Sequence, residues 1–350
     1  MNKMPPKAMP ARTERQVKLS CRSVWKVFGK HPERAFVGDL CPSPSKLKAS
    51  NLVAANIDAT FDVYKGETFV LMGLSGSGKS TLLRCLAQLD HPTSGQIFLD
   101  GLDLARLNPV ALRDVRRKKM SMVFQHFALL PFLTVLENVA FPLEVQSVPT
   151  AEIEARSKDA LELVGLSGFE DRLPRELSGG QQQRVGIARS LVSDPEVWLL
   201  DEPFSALDPM IRLDLQNEVI ELKKRLQKTT LFVTHDLDEA VRLADRIAIM
   251  EGGRIVQIGT PEALILSPAT PYVERFTSNV PKIKVARMRS IMHTENIDFI
   301  AEDPVVCQGA LVRDHAEMLL RTAKRATVVD EASRRVGVVY ADDVAQLMLQ

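Results

Sequence analysis

Neither sign of charge dominates this sequence: 45 lysines and arginines face 44 aspartates and glutamates, for a formal net charge of +1. Without a net basic field, nucleic acid is not expected as a partner. Long apolar runs are also missing, none approaching the roughly 18 residues of a membrane-spanning helix. Any attachment to a membrane must therefore be made through another protein. The four cysteines, Cys21, Cys41, Cys85 and Cys307, are widely spaced and show no CxxC pairing, which fits reduced thiols and not a zinc or disulfide framework. The opening segment, residues 1–16, is a basic, proline-bearing tail without the apolar stretch of a signal peptide. A cytoplasmic protein is the expectation. What remains is an ordinary globular composition over 350 residues, enough for one large core and a smaller appendage.

The most informative stretch is Gly73-Leu74-Ser75-Gly76-Ser77-Gly78-Lys79-Ser80-Thr81, set between an apolar run, Thr68 to Met72, and a helical pattern, Ser80 to Leu89. A buried strand, a glycine turn and a helix N-terminus together make a phosphate cradle. Gly73, Gly76 and Gly78 lack a Cβ, so the backbone can take φ > 0 and aim successive N–H groups at phosphate oxygens. Lys79 adds a point charge at the β- and γ-phosphates. Ser80 is placed to put its hydroxyl on a Mg²⁺ bridging them, because a small hard cation prefers oxygen ligands. Thr81 is left free to help cap the helix.

A second anion site is written at Leu177-Ser178-Gly179-Gly180-Gln181. Ser178 is placed as an N-cap, and the two glycines let a phosphate approach the positive end of the helical run that follows. Val197 to Leu200 then reads as a fully buried strand ending in Asp201-Glu202, a metal-and-base pair at the carboxyl edge of a parallel sheet. Strand pleating sends neighbouring side chains in different directions, so Asp201 can reach the Mg²⁺ while Glu202 deprotonates a water facing the γ-phosphate. His235 leaves the same edge after the strand Thr230 to Val233 and could hydrogen-bond that phosphate or its water. Gln125 ends the strand Met120 to Phe124, where a glutamine alone is an ordinary boundary residue. Asp208, with Pro209 behind it, caps a long amphipathic helix, Met210 to Gln227. Phe28, just before Gly29, reads as core or as a ring that stacks on a base.

Residues 30–50 break the pattern with Pro32, Pro42 and Pro44 and read as a loop or insertion. Phe127 to Leu143 is apolar enough to be an exposed docking surface. The chain from about Pro281 differs again, with strands at Val305-Val306, Ala326 to Asp330 and Val336 to Tyr340, a helix near Ala316 to Thr322 and another after Asp342.

Taken in order, these motifs resemble the ATP-binding cassette (ABC) family over about residues 17–280. The resemblance implies an α/β P-loop ATPase with a mixed-sheet core and a helical subdomain at about 126–190. It makes Phe28 the base-stacking residue, Gly73 to Thr81 the Walker A loop and Gln125 the Q-loop. Ser178 to Gln181 fall in the signature, Asp201 and Glu202 in Walker B, Asp208 in the D-loop, and His235 is the switch histidine. Gln125 joins Ser80 and Asp201 around Mg²⁺, and Gln125 and His235 join Glu202 in catalysis. Two such domains are expected to sandwich two ATP molecules, each held by one copy's Walker A and the other's signature. Phe28 departs from the commoner tyrosine.

Within that family the insertion at 30–50, the run Val115 to Lys119 and Phe204 to Pro209 resemble the ATPase subunit of glycine betaine, proline betaine and choline importers. That implies a homodimer beneath two permease subunits at the cytoplasmic face of a bacterial inner membrane, fed indirectly by an extracytoplasmic solute-binding protein. Residues 281–350 resemble one cystathionine-β-synthase (CBS) repeat, a regulatory or dimerisation module. Alternatives are an importer of another small solute such as an amino acid, or a soluble ABC ATPase, although those normally carry two cassettes or a long coiled coil. A P-loop kinase would have no use for Ser178 to Gln181.

Overall fold

The computed structural model describes residues 15–39, 41–295 and 297–349. Of the expected basic tail, residues 1–14 lie outside these. The centre is a six-stranded sheet in the order Arg254–Gly259, Arg246–Glu251, Thr68–Met72, Thr229–Thr234, Val197–Asp201 and Met120–Val123. The last five run parallel, and only the edge strand Arg254–Gly259 is antiparallel, as part of a hairpin turned by Gly252-Gly253. Every residue of Thr68–Met72, Val197–Asp201 and Thr229–Thr234 is buried, as befits strands covered on both faces.

The period-two pleat divides those strands between two cores. Val70, Met72, Trp198, Leu200 and Phe232 face one, which also takes the helices Val135–Val145, Thr150–Leu163 and Gly179–Leu191. Phe69, Leu71, Val197, Leu199 and Leu231 face the other, with the helix Lys79–Leu86 and a four-stranded antiparallel sheet. That second sheet orders Val53–Tyr64, Val17–Phe28, Ser94–Leu99 and Leu102–Asp103. Its first two strands pair antiparallel, with Phe28 opposite Val53.

Residues 30–50 are not simply a loop. Pro32–Phe36 and Pro44–Ala49 are short helices, and Ala35 and Leu47 bury against Trp25, Val27 and Leu52, with Phe36 edge-on to Trp25 at 5.5 Å. Two of the three prolines that break the sequence pattern here, Pro32 and Pro44, start helices, each standing in a first turn, while Pro42 precedes the Ser43 N-cap. The tail from 281 has its own small core, including Ala286, Met288, Val306, Val328, Val339 and Val344. Its sheet pairs Val305–Cys307 parallel and Arg335–Tyr340 antiparallel to the central Arg325–Val329. The tail is docked on the cassette through Glu262, which accepts from Arg287 N–H (2.7 Å), Arg289 Nη2 (2.8 Å) and Ser290 Oγ (2.6 Å).

Candidate functional site

The strand Thr68–Met72 delivers the chain to the sheet's carboxyl edge, and Gly73 turns it there. A Cβ on Gly73 would stand 2.3 Å from the Met250 carbonyl oxygen, and one on Gly78 2.1 Å from that of Ala55, so only glycine lets the loop nest between those strands. Gly78, at φ 96, is the N-cap of Lys79–Leu86 and makes no side-chain capping bond. Thr81, expected to help cap this helix, does not: it lies inside the first turn and lines the cleft. Lys79 folds back over the loop, donating to the carbonyls of Gly73 (2.9 Å) and Leu74 (3.1 Å). Burial lowers its affinity for a proton, while Glu202 and Asp201 act to restore it.

Three neighbouring strand ends bring the remaining groups to this loop. Ser80 Oγ donates to Asp201 Oδ1 at 2.7 Å. Burial pushes the Asp201 carboxyl up, against the Ser80 bond and with the repulsion of Glu202. Glu202 points differently from Asp201, with Oε1 3.8 Å from Lys79 Nζ and Oε2 3.2 Å from His235 Nδ1 and 3.5 Å from Gln125 Nε2. Its backbone is in the left-handed region at φ 43, fixed by an N–H bond to the Val233 carbonyl at 3.0 Å. The result is a cleft of about 500 Å³ lined by Leu74, Ser75, Gly76, Gly78 to Thr81, Gln125, Glu202 and His235. Oxygen donors from Ser80, Asp201 and the Gln125 amide suit a hard cation beside a polyphosphate. Among the described residues no cluster of three His, Cys, Asp or Glu side chains could hold a metal by itself, so such a cation would depend on the phosphates.

Other expected residues are not brought into this cleft. Phe28 ends its strand 46% exposed, with Lys26 Nζ 5.2 Å from its ring centre, and does not line the cleft. Ser178 N-caps Gly179–Leu191 in a reciprocal pair with Gln181: Ser178 Oγ accepts from Gln181 N–H at 3.3 Å and Gln181 Oε1 from Ser178 N–H at 2.9 Å. Gly180 lies so close to the next helix that a Cβ would be 2.5 Å from Ile211 Cγ2. Asp208 Oδ1 caps that helix, Pro209–Leu226, accepting from Ile211 N–H at 3.1 Å. Arg189, further along the signature helix, donates to the carbonyls of Phe127 and Ala128, tying that helix to the segment after Gln125. Of the apolar stretch 127–143, Phe132 (87%) and Phe141 (42%) are exposed, whereas Val135, Val139 and Leu143 are core. The turn residue Phe132 and one face of the helix Val135–Val145, not the whole stretch, are exposed.

Supporting residues went unread. Buried Asn56 donates from Nδ2 to the Gly78 carbonyl at 2.9 Å, bracing the phosphate loop from a distant strand. Glu239 accepts from Thr234 Oγ1 (2.6 Å) and Gln216 Nε2 (2.9 Å), holding the exit of the strand that delivers His235. Burial pushes its carboxyl up, and the Thr234 bond opposes that. Asn56 shares its alternation phase with the polar Asp58, Thr60 and Asp62, so its burial is not marked in the sequence; it follows from the register shifts between Val17–Phe28 and Val53–Tyr64.

Comparison with known proteins fits this geometry. The ABC transporter family profile matches residues 57–205. The "Trimethylamine N-oxide transport system ATP-binding protein TmoW" of Pelagibacter ubique is 48% identical over 93% of this chain and 96% of its own. The "Glycine betaine transport ATP-binding protein OpuAA" of Bacillus subtilis is 45% identical over 94% of this chain and 78% of its own. Among solved structures, the dimeric ATP-binding cassette MJ0796 bound to ADP and Pi superposes with a TM-score of 0.59 at 32% identity, covering 69% of this chain and 98% of that one.

Proposed function

This chain belongs to the ABC transporter ATP-binding proteins and hydrolyses ATP as an importer subunit, and from that premise we propose that it energises uptake of a small methylated amine. Glycine betaine, proline betaine, choline and trimethylamine N-oxide are the candidates. The observation that carries this reading is extent. Similarity to the trimethylamine N-oxide and glycine betaine ATPases continues over more than nine-tenths of the chain, and so through the tail, whereas the solved cassette accounts for 69% of it. The tail is then the part shared with methylamine systems, in the role of a CBS-like regulatory or dimerisation module. No helix among the described residues is long and apolar enough to cross a membrane, which accords with a peripheral subunit carried by two permease subunits.

In the proposed mechanism the loop N–H groups of Gly76 and Gly78 and the Lys79 ammonium bind the β- and γ-phosphates. Ser80, Asp201 and Gln125 would hold a Mg²⁺ ion, which when bound neutralises phosphate charge. Glu202 accepts the proton of the attacking water. His235, 3.2 Å from Glu202 Oε2, orients that carboxylate and is within reach of the transferred phosphate. Phe28, exposed and outside the cleft lining, would stack on the base. Because Ser178 to Gln181 do not line the cleft of their own chain, a second copy would supply them, with Asp208 at the seam. The exposed face around Phe132 and Phe141 would receive the permease and convert closure of the dimer into its opening.

Proteoliposomes containing this ATPase, a candidate partner permease and a candidate binding protein test the reading directly. Glycine betaine or trimethylamine N-oxide is expected to stimulate both ATP turnover and solute uptake. Stimulation by an amino acid alone would reject the methylamine assignment, and failure to co-purify with any permease would reject transport.

A further inference from the structure

A cleft of about 520 Å³, as large as the nucleotide cleft, opens where the tail meets the cassette. Cationic side chains reach it from both sides: Arg242 from the cassette helix Leu237–Leu243, and Lys284, Arg287, Arg289 and Arg313 from the tail. Its two acids are already engaged. Asp245 accepts from Thr68 N–H (2.8 Å) and Lys223 Nζ (3.0 Å), and Glu262 is the docking carboxylate that takes Arg289. Lys284 is paired with Asp238 at 2.9 Å and Arg313 with Asp314 at 3.4 Å.

Arg242 and Arg287 are different. Arg242 donates to the side-chain carbonyls of Gln216 (2.8 Å) and Asn217 (2.5 Å), and Arg287 to the backbone carbonyl of Gly309. All three acceptors are neutral, and among the described residues neither guanidinium meets a carboxylate. Two guanidiniums without an ion-pair partner among the described residues, one from each unit, therefore line one cleft. Guanidinium is the group that matches the paired oxygens of a phosphate. The other walls, which include Val241, Val285 and Leu311, are apolar.

We propose that this junction binds a small organic phosphate, its anionic group held between Arg242 and Arg287 and its apolar remainder against Val241 and Val285. Occupancy has a route to the catalytic cleft. The helix bearing Arg242 is capped by Asp236, immediately after His235, so an anion bridging Arg242 to Arg287 ties the tail to the segment that presents the histidine.

Inorganic pyrophosphate serves as the probe, titrated calorimetrically at constant ionic strength into full-length protein whose nucleotide cleft is saturated with ADP. One additional site per chain is expected. Its affinity should fall about ten- to a hundredfold in Arg242→Gln and likewise in Arg287→Gln, the loss typical of a charge-assisted hydrogen bond. The two variants approach the site from opposite walls, and unchanged ADP affinity shows that each is folded. Absence of a second site in the unaltered protein, pyrophosphate affinity unaffected by both substitutions, or equal competition by chloride at matched ionic strength would each overturn the assignment.

Discussion

The two helix N-termini proposed to meet phosphate in this molecule are built in opposite ways. The helix Lys79–Leu86 begins at a left-handed glycine with no side-chain cap, so its first N–H groups are left for a ligand, and the loop before it is braced by Asn56, Ala55 and Met250. The helix Gly179–Leu191 closes its own end with the reciprocal pair Ser178 and Gln181. The first terminus is a receptor waiting for charge. The second uses the Ser178 oxygen to hold its own Gln181 N–H, and keeps the Ser178 hydroxyl proton and the N–H groups of Gly179 and Gly180 for a phosphate brought from outside. That difference suits a site where the phosphate loop binds nucleotide in each chain and the signature joins only when a second copy arrives.

The comparison can be broken most severely at Glu202. Replacing it with glutamine keeps its shape and its bonds to Gln125 and His235 but removes the proton acceptor, so turnover should fall about 10²- to 10⁴-fold with ATP still bound. Unimpaired hydrolysis, followed as phosphate release, would deny Glu202 its role. Lys79→Ala acts on binding. Loss of a charge 5% exposed among carbonyls and carboxylates should weaken ATP affinity about a hundredfold or more, as seen in a nucleotide titration.

Ser178→Ala sharpens the contrast. Loss of the cap should cost about 1 kcal/mol of stability, leave the ADP affinity of one chain unchanged and slow ATP-driven dimerisation. A drop in ADP affinity instead would mean that the signature already serves its own chain's nucleotide. The smallest effect is expected at the tail's anchor. Burial raises the Glu262 carboxyl's affinity for protons, but bonds from Ser290, Arg289 and Arg287 N–H outweigh it and hold the carboxyl below its ordinary range. Its contribution is therefore complete above the ordinary carboxylate pKa and fades as pH falls through the lowered value. Hydrogen exchange around Arg287 to Ser290 should rise only in that acidic window, and Glu262→Gln should show the rise at neutral pH.

Contiguous chemistry was the legible part. Gly73 to Thr81, Ser178 to Gln181 and the strand ending in Asp201-Glu202 each carry their meaning in a few neighbouring residues, and the βαββα order of the tail follows from local periodicity. What stayed hidden depends on distance in the chain. The brace from Asn56 crosses 22 residues and the Gln216 bond to Glu239 crosses 23, and neither pattern announces its partner. The segment 30–50 was obscured because its apolar residues are few and bury against Trp25 and Val27 near the end of Val17–Phe28 instead of forming a periodic face. Thr81 was misplaced because glycine in a left-handed turn can begin a helix without a side-chain cap.

The position of Thr68–Met72 between Thr229–Thr234 and Arg246–Glu251 has a consequence in time. The strand that leads into the phosphate loop is flanked only by partners made much later, and the Thr68 N–H is satisfied by Asp245, 177 residues downstream. At ordinary rates of synthesis that delay is roughly ten to thirty seconds. Until then the nascent strand presents two open edges, and the loop lacks the Met250 carbonyl against which Gly73 nests. Nucleotide binding should therefore switch on abruptly as the ribosome passes the Gly252-Gly253 hairpin, making ATP capture a late checkpoint in the biogenesis of the cassette and not an early nucleus.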